Sequence, residues 1–104
     1  MAKVRELYLV DDQLTDVKGL EKHTKLTALS LNDNQLTDAG GLENLTELML
    51  LNLGNNQLTD VKGLEKLTQL TWLALSDNPD LTKAQIDELQ KALPKCKIIS
   101  NPLK

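Results

Sequence analysis

The residues best able to do chemistry are one histidine, one cysteine and a scatter of carboxylates. His23 would need a second imidazole, a thiolate or clustered carboxylates to hold a metal. The chain has no other histidine, and Cys96 is remote from it in sequence. Cys96 would need a base to become a nucleophile, and no histidine is placed to serve. The carboxylates Asp11, Asp12, Asp16, Asp33, Asp38, Asp60 and Asp77 stand among Gly, Asn and Thr, where turn chemistry accounts for them without catalysis. Asp77 to Glu88 has the length of a calcium loop, but Pro79 falls at the third ligand position and no glycine occupies the sixth. Gly40-Gly41 lacks the strand before and helix after that a phosphate-binding loop requires. No metal, cofactor or catalytic residue is expected, and the chain does not read as an enzyme.

The elements that must position these side chains are unusually uniform. Leucine supplies 24 of the 104 residues, phenylalanine is absent, and Trp and Tyr occur once each, so the core is built from one aliphatic shape. A net charge of −3 disfavours attraction to phosphate backbones, which argues against nucleic acid. A single cysteine forms no internal disulfide, so the chain can fold in a reducing compartment and is compatible with cytoplasmic expression. MAKVRELYLV carries basic residues with no apolar run behind them, and no window reaches 18 apolar residues; no signal or membrane span is expected.

Leucines recur with a period of 22. Val4, Leu26, Leu48 and Leu70 begin successive units and Leu93 begins a partial fifth, one domain over residues 1–104. Each unit reads L-x-x-L-x-L-x-x-N-x-L, as in Leu26, Leu29, Leu31, Asn34 and Leu36. Unit one carries Asp12 at the asparagine position, and the tail reads Leu93, Cys96, Ile98, Asn101 and Leu103. Apolar residues at Val61, Leu64 and Leu67, three apart, suit a short 3-10 turn. One unit cannot cover its own leucines, so the layers must stack. Asn34, Asn56, Asn78 and Asn101 carry both donors and an acceptor and can satisfy backbone groups between layers; the carboxylate of Asp12 cannot donate and is tolerable where no earlier layer offers carbonyls. Thr82 and Gln85 form a capping box, followed by Ile86, Leu89, Leu93 and a stop at Pro94, which predicts an α-helix of about three turns. With a strand over Cys96 to Ile99 it makes a C-terminal cap, and Lys95, Lys97 and Pro102 discourage further edge pairing.

This pattern resembles the 22-residue leucine-rich repeats of the internalin type over essentially the whole chain. The resemblance implies an α/β solenoid with a parallel concave β-sheet, short 3-10 or helical convex segments, and a concave face that binds protein. It implies no cofactor.

Strand alternation sends the residues flanking the inward leucines to the concave face. Three columns follow: Glu6, Ala28, Leu50, Trp72 and Lys95; Tyr8, Ser30, Asn52, Ala74 and Lys97; Val10, Asn32, Gly54, Ser76 and Ile99. No residue repeats within a column, whereas residues 12–24 and 56–68 are identical at 11 of 13 positions. Both aromatics fall in these columns, and aromatic side chains often anchor interfaces. The expected binding face therefore comprises Tyr8, Asn32, Leu50, Asn52, Trp72, Lys95 and Lys97, taking a protein or peptide partner. An alternative is a structural or engineered repeat scaffold that forms a homodimer through its uncapped N-terminal repeat, where Val4, Leu7, Leu9, Leu14 and Leu20 have one side open.

Overall fold

A computed structural model of the chain describes residues 5–100. The expectations for Val4, Asn101, Pro102 and Leu103 lie outside that range. Five three-residue strands, β1 (Glu6–Tyr8), β2 (Ala28–Ser30), β3 (Leu50–Asn52), β4 (Trp72–Ala74) and β5 (Lys97–Ile99), form one parallel sheet in sequence order. Between the first four strands lie 3-10 turns at Leu20–Lys22, Leu42–Asn44 and Leu64–Lys66, and between the last two lies α1 (Lys83–Ala92). This is the leucine-rich repeat solenoid.

Each repeat folds as it does for local reasons. The left-handed backbone that follows each of β1 to β4 falls on Asp11, Asp33, Asn55 and Asp77, with φ of 58°, 62°, 53° and 60°. Asp and Asn are the side chains that tolerate that region best. Apolar positions three apart then match three residues per turn. Each 3-10 turn is entered through a glycine with φ between 91° and 98° and left where His23, Leu45 or Leu67 donates its N–H to the carbonyl three residues earlier. At Gly63 an added Cβ would also lie 3.2 Å from the Glu43 carboxylate.

Stacking supplies the core. Leu29, Leu31 and Leu36 of the second layer and Leu51, Leu53 and Leu58 of the third are fully buried. Burial of a leucine contributes on the order of 1.5 to 3 kcal/mol, so the interior layers carry most of the stability. Leu7, Leu9 and Leu14 of the first layer are only half-buried, packed from one side.

The asparagines join the layers. Asn34 Nδ2 donates to Leu9 O at 2.7 Å and Leu31 O at 2.9 Å, while its Oδ1 accepts from Asp12 N and Leu14 N, both at 3.0 Å. Asn56 and Asn78 repeat the arrangement one and two layers on. Asn34, Asn56 and Asn78 each donate back to the layer before, and the described residues hold no layer before Asp12, so a carboxylate is accommodated there. The C-terminal cap matches its expected form. Thr82 Oγ1 accepts from Gln85 N at 3.2 Å, and Gln85 Oε1 accepts from Thr82 N at 2.8 Å. Ile86, Leu89 and Leu93 are buried against the last layer.

The last strand departs from the sequence expectation. Trp72 pairs with Lys97, Leu73 with Ile98 and Ala74 with Ile99, a displacement of two residues from the columns drawn above. The reason is visible in the backbone. Leu70 N donates to Leu67 O, and Cys96 N donates to Leu93 O in the same way, so Cys96 stands where Leu70 does and Leu93 where Leu67 does. A full α-helix in place of a 3-10 turn uses more residues before the chain regains the sheet.

Candidate functional site

The open face of the sheet is set by the pairing register. Its first column runs Glu6, Ala28, Leu50, Trp72 and Lys97, and its second Tyr8, Ser30, Asn52, Ala74 and Ile99. Beyond the strands the ladder continues: Asp11 N donates to Asn32 O, Asp33 N to Gly54 O and Asn55 N to Ser76 O, which aligns Asn32, Gly54 and Ser76 in a third column.

Exposure is concentrated here. Among the described residues the large apolar side chains open to solvent are Tyr8 at 61%, Met49 at 47%, Val10 at 41% and Leu50 at 37%, all on strands or immediately beside them. Trp72 is half-buried next to Leu50. Ser30 and Ala74 in the second column are buried. Asn52 and Asn32 are half-buried and partly engaged, Asn52 Oδ1 accepting from Gly54 N at 2.9 Å and Asn32 Nδ2 donating to Asp33 Oδ2 at 3.2 Å. Tyr8 donates its hydroxyl to Glu6 Oε1 at 3.1 Å. That hydrogen bond, and then the carboxylate's charge, push the phenol above its ordinary range, so Tyr8 remains a neutral donor.

Lys97 is exposed at the end of the first column, not in the second. Lys95, expected beside Trp72, lies in the turn before β5 and is not part of the sheet. Met49 is the residue that strand alternation missed. Its counterparts in neighbouring units are Arg5, Thr27 and Thr71, so an apolar side chain in an otherwise polar row was the available signal.

The remaining candidates are accounted for by local structure. Asp16, Asp38 and Asp60 accept from the backbone N–H groups of Lys18, Gly40 and Lys62, and Glu21, Glu43 and Glu65 accept from those of Gly19, Gly41 and Gly63. The amides of Gly40 and Gly41 that a phosphate would take are thus already bonded. Glu88 and Asp87 sit within α1, so Asp77 to Glu88 cannot wrap around an ion. His23 is exposed at the close of the first 3-10 turn. Cys96 is buried, and desolvation raises its thiol pKa, which reduces the thiolate available for chemistry. Among the described residues no set of three His, Cys, Asp or Glu side chains converges on a point, no buried side-chain nitrogen or oxygen lacks a hydrogen bond, and no helix is long and apolar enough to cross a membrane.

Comparisons with known proteins agree with this geometry. The family described as Leucine Rich repeats (2 copies) matches residues 24–66. An internalin of Listeria monocytogenes is similar at 30% identity and a TM-score of 0.87, over 97% of this chain and 30% of its own. Internalin C2 of the same organism is similar at 32% identity and a TM-score of 0.85, over 97% of this chain and 44% of its own. A leucine-rich repeat protein of Leptospira interrogans is similar at 35% identity and a TM-score of 0.83, over 91% of this chain and 25% of its own. The chain therefore spans less than half the length of each. No curated protein sequence matches it.

Proposed function

Because this chain is an internalin-type leucine-rich repeat protein, we propose that it is a non-catalytic binding module that takes a protein or peptide segment on the concave face of its sheet. Leucine-rich repeat proteins are generally protein-interaction modules, and internalin-like ones are typically non-enzymatic. The observation that carries the finer reading is the placement of exposed apolar surface. Tyr8, Val10, Met49 and Leu50 all lie along the sheet, while the convex carboxylates are spent on the backbone of their own turns. Exposed apolar side chains gathered on one face mark interaction surface. Trp72, half-buried beside Leu50, adds a rigid aromatic wall to that patch.

Selection of a displayed library of random 16-residue peptides on the folded chain tests this. Binders from it should weaken by about tenfold or more, roughly 1.4 kcal/mol, with Trp72→Ala or Leu50→Asp. They should be unaffected by Lys62→Asp on the opposite side. Binders sensitive to Lys62→Asp and indifferent to the two sheet substitutions would sink the reading.

A further inference from the structure

The corrected register places opposite charges at the two ends of one column. Glu6 opens it on β1, Leu50 and Trp72 stand toward its middle, and Lys97 closes it on β5. Both end residues are exposed. Lys97 takes part in neither of the ion pairs given among the described residues, which join Lys25 to Glu47 and Lys83 to Asp87, and from those residues the Glu6 carboxylate accepts the Tyr8 hydroxyl. Lys95, exposed just before β5, adds to the positive end, while Arg5, exposed just before β1, is the cation nearest Glu6 in sequence.

Five strands about 4.8 Å apart set Glu6 and Lys97 roughly 19 Å from one another. That exceeds the screening length of about 8 Å at physiological salt, so each end recognises charge independently of the other. Three paired residues per strand, at about 3.3 Å each with the ladder continuing briefly beyond, leave a face of only about 300 Å² in projection. A standard protein interface occupies about 800 Å² per partner, so the column suits a short linear segment better than a broad surface.

Resting on the concave-face reading, we infer that the partner is a linear peptide segment lying across the strands, with an apolar anchor at Leu50 and Trp72, a cationic residue toward Glu6 and an anionic residue toward Lys97. The segment's polarity is fixed by charge: reversed, it would set like charges against both ends of the column.

The test is a parallel selection of the same 16-residue peptide library on the unaltered chain and on its Lys97→Glu variant, with far-UV circular dichroism showing that the exposed substitution leaves the fold intact. Peptides from the unaltered chain should carry a cation on one side of an apolar centre and an anion on the other. Those from the variant should replace the anion with a second cation. Exchanging the two sets should weaken binding about two- to fivefold, as expected for exposed charge pairs. The same charge pattern from both selections, with binding still lost on Leu50→Asp, overturns the charge assignment and leaves the concave face standing. Peptides indifferent to Leu50→Asp, or no enrichment on either chain, overturn both.

Discussion

The two ends of the solenoid solve the same problem differently. At the C-terminal end, α1 lays Ile86 and Leu89 over the last layer, Leu93 and Cys96 close it, and all four are buried. At the N-terminal end, Leu7, Leu9 and Leu14 keep one side half-open and Asp12 stands where the interior layers have asparagine. The difference teaches that a layer in this fold is defined by its neighbour more than by its own sequence: residues 12–24 and 56–68 are nearly identical, yet their leucines differ in burial. Repeat proteins behave as chains of nearest-neighbour contacts, and the first described layer shows what packing from one side leaves uncovered.

The largest expected consequence is a contrast between equivalent leucines. Leu53→Ala empties a fully buried site and should cost about 3 to 4 kcal/mol in urea unfolding. Leu9→Ala removes the same atoms from a half-covered site and should cost about 1 kcal/mol. Equal losses would break the comparison, since they would mean that Leu9 is covered in solution by a second copy of the chain, an arrangement that light scattering would detect as a dimer.

The asparagine ladder sharpens the same contrast at smaller scale. Asn56 is 4% exposed, and its amide donates to Leu31 O and Leu53 O, both at 3.1 Å. Asn56→Asp removes both donors and sets a carboxylate against those carbonyls, for an expected loss of about 2 to 3 kcal/mol. That deficit should shrink toward acid pH as the introduced carboxyl gains a proton to donate. Asp12→Asn should change stability by less than about 0.5 kcal/mol, because the ladder reaches backwards and the described residues hold no layer before it. A large gain from Asp12→Asn would show a carbonyl waiting there.

Most of this architecture was legible from spacing alone, because a period of 22 repeats every constraint: strand, left-handed Asp or Asn, glycine, 3-10 turn, asparagine. The fourth linker broke the period and with it the register. Leu93-x-x-Cys96 imitates the L-x-x-L of a strand, but the helix preceding it consumes extra residues, so those two positions serve as the end of a linker and the start of a unit. The pairing register on β1 to β4, where nothing intervenes, follows the columns drawn from spacing, whereas Lys95, Lys97 and Ile99 fall two residues away from theirs. The half-burial of Trp72, by contrast, depends on neighbours that pattern does not weigh, as does the burial of Ser30 and Ala74 in the adjoining column.

A further small effect isolates the same contrast in a single backbone angle. Gln35 N donates to Leu14 O at 2.8 Å and Gln57 N to Leu36 O at 2.9 Å, each bonding to the layer before it, and neither residue has a positive φ. Gln13 occupies the same position in the first unit, and its φ is 57°. Left-handed backbone costs a residue with a Cβ about 1 to 2 kcal/mol, whereas glycine adopts it freely at the expense of greater entropy in the unfolded chain. Gln13→Gly should therefore raise stability slightly, by about 0.5 kcal/mol, seen as an increase of roughly 2 to 4 °C in Tm. Gln57→Gly, at a position held by its neighbour in an ordinary conformation, should lower stability by about 0.5 to 1 kcal/mol. If both substitutions destabilise alike, Gln13 is held in solution as Gln57 is, and the first layer differs from the third in side-chain burial alone.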